Sequence, residues 1–121
     1  VILSKSAPGA IGPYSQAIEV NGMIFVSGQL PIDAKTGEMA VSIEDQTRQS
    51  LDNIKYILSE TGLTMDNIVK TTVFLKDMSA FADMNKVYNT YFNGNYPARS
   101  AFAVKELPKG ASVEIECIAV R

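Results

Sequence analysis

The chain contains no histidine and a single cysteine, Cys117. Those two absences remove zinc sites built on imidazole and thiolate, Cys-His nucleophile pairs and Ser-His-Asp triads. Acid–base work near neutral pH therefore falls to carboxylates, tyrosine, lysine or bound water. One cysteine cannot close an intrachain disulfide, which fits a reducing compartment. Excess charge is scarce as well: 11 Lys and Arg stand against 13 Asp and Glu, a net charge of -2, with no positive cluster. Phosphate neutralisation needs clustered Lys and Arg, so no nucleic-acid partner is expected. No apolar run approaches the roughly twenty residues of a membrane span, and Val1-Ile2-Leu3 is too short for a signal-peptide core. A cytoplasmic protein without a membrane partner is expected.

What is present describes a folding chain. At 121 residues, 46% hydrophobic and 20% charged, the composition is globular, and the length suits one domain, residues 1–121. A domain of this size has a high surface-to-volume ratio, so extra apolar surface is expected to be covered by further copies of the chain.

Glycine and proline act as punctuation, with no repeat and no linker. An irregular arm runs through Ala7-Pro8-Gly9-Ala10-Ile11-Gly12-Pro13. Ala17–Val20 and Met23–Ser27 flank Asn21-Gly22, a hairpin signal because this pair tolerates the positive φ of a type I′ turn. A second turn follows at 33–37. From Glu44 to Thr61 apolar residues recur at helical spacing, with Ser42 as N-cap and Gly62 as stop. Ile68 to Leu75 reads as a strand, Ser79 to Asn93 as a second helix carrying Phe81, Met84, Tyr88 and Tyr91 on one stripe. Strands over Arg99–Val104 and Ser112–Val120 close the order ββαβαββ. That order implies an α+β protein, one mixed sheet with both helices on a single face. In the last strand Val113, Ile115, Cys117 and Ala119 alternate with Glu114, Glu116, Ile118 and Val120, so both faces carry apolar residues. The face without helices needs a cover, and another subunit is the available one. Pairing the last two strands around Pro108-Lys109 sets Arg99 opposite about residue 118, four places and about 13 Å along the strand from Glu114. The expectation is that one pocket takes Arg99 and Glu114 from neighbouring subunits.

Four segments, Gly12-Pro13-Tyr14-Ser15-Gln16, Ser27-Gly28-Gln29-Leu30-Pro31, Pro97-Ala98-Arg99-Ser100 and Val113-Glu114-Ile115-Glu116, together resemble the reactive intermediate deaminase (Rid or YjgF) family. Val69–Leu75 resembles it too. The resemblance implies a chorismate-mutase-like fold, a homotrimer with ligand pockets in the clefts between subunits, and hydrolysis of 2-enamine and 2-imine acids such as 2-aminoacrylate. The products are 2-keto acids and ammonia, with no metal and no cofactor. It further implies that Arg99 binds the substrate carboxylate, that Glu114 positions or activates water, and that Tyr14, Ser27, the Gly28 backbone and Asn85 line the pocket. Ala101 stands where many relatives have a cysteine.

The chemistry is coherent on its own terms. A short 2-imino acid offers a carboxylate and an electrophilic carbon. Arginine grips the first with two parallel charge-assisted hydrogen bonds, and a glutamate with a raised pKa manages water at the second. On pattern alone each residue also has an ordinary reading: Arg99 as an ion-pair partner, Glu114 as a solvent-facing strand position, Tyr14 as packing beside a turn, Ser27-Gly28 as a bulge, Cys117 as core. Two other functions compete, a non-catalytic keto-acid-binding regulator and a ribonuclease or translation inhibitor. The acidic balance and missing histidines disfavour the second.

Overall fold

The chain first reverses at Asn21-Gly22, where φ is 51° and 79°, the two positive values that a type I′ turn requires. This turn joins β1 (Ala17–Val20) to β2 (Met23–Gln29) as an antiparallel hairpin. The computed structural model describes residues 1–121. Helix α1 (Ile43–Ser59) begins where the Ser42 hydroxyl accepts the Asp45 backbone N–H at 3.1 Å, and the chain leaves it through Gly62 at φ 78°. Next come β3 (Ile68–Leu75), a 3-10 turn at Met78–Ala80, α2 (Phe81–Asn89), β4 (Ala98–Ala103) and β5 (Val113–Val120). Helix α2 is shorter than the 79–93 span expected from periodicity. The Thr90 and Tyr91 backbone N–H groups bond three residues back, to Val87 and Tyr88, so the last turn tightens and ends.

The sheet order is β1-β2-β5-β3-β4, with β3 and β4 parallel and every other neighbour antiparallel. The expected pairing of the last two strands does not form. Instead β5 lies between β2 and β3, and β4 sits at the edge, reached from β3 through α2 as a parallel crossover. Composition explains the exchange. β5 is apolar at most positions and suits the interior of a sheet, whereas β4, ARSAFA, is made, Phe102 apart, of small and polar residues that an edge tolerates.

Both helices cover one face. Ile24, Val26, Val73, Leu75, Val113, Ile115 and Cys117 point into a core completed by Leu51, Ile54, Ile57, Leu58 and Met84 from the helices. Cys117 is buried there, and burial pushes its thiol up to about 12, which marks a packing residue. The opposite face leaves Ile18, Val20, Met23, Phe25 and Phe102 exposed, with Phe102 edge-on to Phe74.

One buried side chain ties the N-terminal arm to the hairpin. The Gln16 amide donates to the carbonyls of Ser4 at 3.1 Å and Pro8 at 2.7 Å, and its oxygen accepts the Ser4 N–H at 2.7 Å. Gln16→Ala leaves those backbone groups without partners. The expected loss, read from denaturant unfolding, is on the order of 2 kcal/mol, accompanied by faster protease cleavage within residues 4–13.

Candidate active site

Arg99 enters the site from β4. Its ladder partner on β3 is Thr71, itself paired with Cys117, so all three side chains stand on the helix-covered side of the sheet. There the guanidinium meets α2. Its Nη1 donates to Asn85 Oδ1 at 2.6 Å, and its carbon lies 4.7 Å from the Tyr88 ring centre and 5.5 Å from that of Phe81. Residues 81, 85 and 88 are spaced by four and three, which puts them on one helix face. The chain's two ion pairs are Arg48–Asp45 and Arg121–Glu19. Arg99 therefore has no acidic partner within the chain, contrary to its ordinary reading as a structural ion pair. Of five N–H donors on a guanidinium, one is committed to Asn85. Arg99 lines a cavity of about 510 Å3 together with Asn85, Tyr88, Asn89, Tyr96 and Pro97.

Glu114 belongs to the other side. On β5 it pairs with Phe74, and strand alternation turns both away from the helices. Its carboxylate lies against Gly28, inside the register shift that interrupts β2–β5 pairing between Val26 and Gln29. A Cβ at position 28 would stand 2.9 Å from the Glu114 carboxyl carbon and overlap its oxygen. The bulge reading of Ser27-Gly28 is thus correct, and the bulge is also what brings backbone up to the carboxylate. Burial, with a smaller contribution from the Glu116 carboxylate, raises the Glu114 pKa above the ordinary glutamate value. The Ser27 hydroxyl donates to the Ser15 carbonyl at 2.6 Å, and the Ser27 N–H donates to the Gln16 carbonyl at 2.9 Å. Tyr14 is exposed and lines a second cavity, of about 270 Å3, with Gly28, Gln16, Gln29 and Leu30.

The expected residues thus fall into two groups. Arg99 and Asn85 are in contact on the helix side, while Glu114, Gly28, Ser27 and Tyr14 cluster around the β2 bulge and the arm. One chain does not bring the groups together. Tyr88 and Phe81, the aromatic platform beneath Arg99, were read from sequence only as a core stripe. Their spacing around Asn85 was the available signal.

The family model for Endoribonuclease L-PSP matches residues 4–121. The chain belongs to that family. It is 49% identical to the 2-iminobutanoate/2-iminopropanoate deaminase of Escherichia coli (strain K12) over 123 residues, covering 99% of this chain and 96% of the relative. Among solved structures, E. coli TdcF with bound serine superposes with a TM-score of 0.97 at 45% identity, covering 100% of this chain and 98% of TdcF. The Rid-family protein YyfA of Yersinia pestis gives 0.97 at 51% identity, again covering 100% and 98%. The Rid resemblance and the α+β sheet with two helices on one face both stand.

Two outcomes are expected at Glu114. Gly28→Ala displaces a flexible carboxylate end, so unfolding free energy falls by only about 1 kcal/mol, while the carboxylate leaves its position in a crystal structure of the variant. A carboxyl pKa raised in the folded state contributes stability below the unfolded value, near 4.3, that is lost as pH rises through the folded value. Wild type is therefore expected to lose stability relative to Glu114→Gln as denaturant unfolding is repeated from about pH 4 to pH 7.

Proposed function

We propose that this chain hydrolyses the C=N bond of short 2-imino acids, and of the 2-enamine acids that tautomerise to them, yielding 2-keto acids and ammonia. The observation that carries this reading is the Arg99 guanidinium, held by Asn85 and two aromatic rings yet paired with no acid of its own chain. Such a group is prepared for a ligand carboxylate. Charge-assisted hydrogen bonds from it are worth about 1.5 to 3 kcal/mol each. The relative named 2-iminobutanoate/2-iminopropanoate deaminase, and TdcF with its bound serine, support a small ligand bearing a carboxylate and a nitrogen at C2.

In this mechanism Arg99 holds the carboxylate and fixes C2. Glu114, its pKa raised by burial, takes a proton from water as the oxygen adds to C2 of the imine. It returns that proton to the nitrogen of the resulting carbinolamine. Glu114 then carries the carbinolamine hydroxyl proton to the same nitrogen, and as C=O forms the C–N bond breaks and ammonia leaves, giving the keto acid. The intermediates hydrolyse spontaneously, so positioning and proton transfer suffice without histidine. Tyr14, Ser27 and the Gly28 backbone line the Glu114 side, and Asn85 the Arg99 side. The chain's own residues supply each step of this scheme, in a cytoplasmic protein of one domain.

Because strand alternation turns Arg99 and Glu114 to opposite faces of one sheet, each pocket takes Arg99 from one copy and Glu114 from its neighbour. The exposed apolar face of β1, β2 and β4 supplies surface for a homotrimer. A nucleic-acid role, which the family's name invites, finds no support in a chain of net charge -2 without histidine.

The test couples the protein to a serine or threonine dehydratase and follows keto-acid appearance. Arg99→Ala and Glu114→Ala are each expected to reduce the acceleration by about a hundredfold or more. Keto-acid binding without acceleration by wild type would identify a regulator instead. Co-expressed, the two variants form mixed assemblies in which some pockets hold both intact residues, and up to about a quarter of wild-type activity returns. No recovery in verified hybrids would mean that one chain supplies both groups.

A further inference from the structure

Tyr88 is placed to do more than fill the core beneath Arg99. Thr71 and Arg99 are ladder partners on the parallel strands β3 and β4, so their side chains leave adjacent backbones side by side, about 4.8 Å apart. Tyr88 comes down from α2 onto both. Its hydroxyl and that of Thr71 are 2.7 Å apart in a buried hydrogen bond, and its ring centre lies 4.7 Å from the guanidinium carbon. The ring is held from the side by Phe92, at 4.9 Å between centroids. Thr71 is fully buried, so its hydroxyl has no recourse to bulk water.

We propose that Thr71 and Tyr88 form a positioning pair for the clamp: the Thr71 hydroxyl fixes the Tyr88 ring, and the ring fixes the plane of the Arg99 guanidinium. The role of that plane in substrate binding rests on reading Arg99 as the carboxylate clamp. Two restraints of different kinds act on one group. The Asn85 carbonyl takes one N–H and sets a corner of the fork. The ring face, attracted to the cation, sets the plane in which the other donors lie. A guanidinium on a long side chain with only the Asn85 bond could still rotate about it, and two parallel hydrogen bonds to a carboxylate need a defined plane. The Tyr88 hydroxyl is hydrogen-bonded to Thr71 and the guanidinium to Asn85, so the hydroxyl bond acts on the clamp through the orientation of the ring.

Two variants remove the hydroxyl bond while keeping shape, Tyr88→Phe and Thr71→Val. Each is expected to weaken binding of 2-oxobutanoate, measured by calorimetry on the full chain, by about three- to tenfold, with KM in the coupled assay rising more than kcat falls. Thr71→Ser, which keeps the hydroxyl, is expected to recover most of the affinity that Thr71→Val loses. Tyr88→Phe and Thr71→Val are also expected to shift the Arg99 Nε–Hε resonance in 15N-edited spectra, as the ring current on it changes, and to speed its exchange. In an Arg99→Lys background they are expected to alter binding by less than about twofold, because the effect passes through the guanidinium. Lower thermal stability with an unchanged Arg99 resonance and unchanged affinity would reduce the pair to a buried structural contact and overturn the proposal. If wild type neither binds 2-oxobutanoate nor accelerates hydrolysis, the proposed function fails separately, and the Arg99 resonance still decides whether the pair positions the guanidinium.

Discussion

Strand alternation is the constraint from which the rest follows. Arg99 is level with Thr71 on β3, and Glu114 is level with Phe74. Those two rungs are three residues apart, an odd number, so the side chains leave opposite faces of one sheet. No rotamer change carries a guanidinium and a carboxylate through a layer of backbone to a common ligand. On the function proposed above, the two come to one small molecule from two copies. The uncovered apolar face of the sheet is the physical means by which copies can associate.

Each half is built by different devices. The Arg99 half depends on a helix: α2 presents Phe81, Asn85 and Tyr88 at intervals of four and three, which suits a planar cation that needs one hydrogen-bond acceptor and a flat surface. The Glu114 half depends on backbone irregularity. A register shift in β2 brings Gly28 against the carboxylate, and the Gln16 clamp holds the arm that carries Tyr14.

Much of this was legible in the sequence, and the rest failed for identifiable reasons. The Asn21-Gly22 turn, the Ser42 cap and the Gly62 stop were readable because each depends on a few neighbouring residues. Strand order was not. Pairing β4 with β5 treats neighbours in sequence as neighbours in space, whereas β3-α2-β4 is a parallel crossover that leaves β5 free to enter the middle of the sheet. The sequence reading separated Arg99 from Glu114 by distance along a hairpin that does not exist. The separation is real, but its cause is the two faces. Tyr88 was visible as an apolar helix position, and its role beneath Arg99 was hidden because that depends on the β3–β4 register. The nearness of Gly28 to Glu114 likewise depends on a bulge that local propensity does not locate.

Keeping the two groups apart within a chain also protects their chemistry. Were Arg99 and Glu114 within reach of each other in the monomer, they would form an ion pair, committing the guanidinium and pulling the carboxyl pKa down. The glutamate would then be a poor proton carrier near neutrality, and the arginine would have to release a bound carboxylate before taking another. With the sheet between them, the guanidinium keeps donors free over an aromatic platform, while burial and, to a smaller extent, the like charge of Glu116 favour the protonated form of Glu114. Within one chain, then, the opposite faces of the sheet leave the guanidinium without an acidic partner and the carboxyl without a cation to lower its pKa.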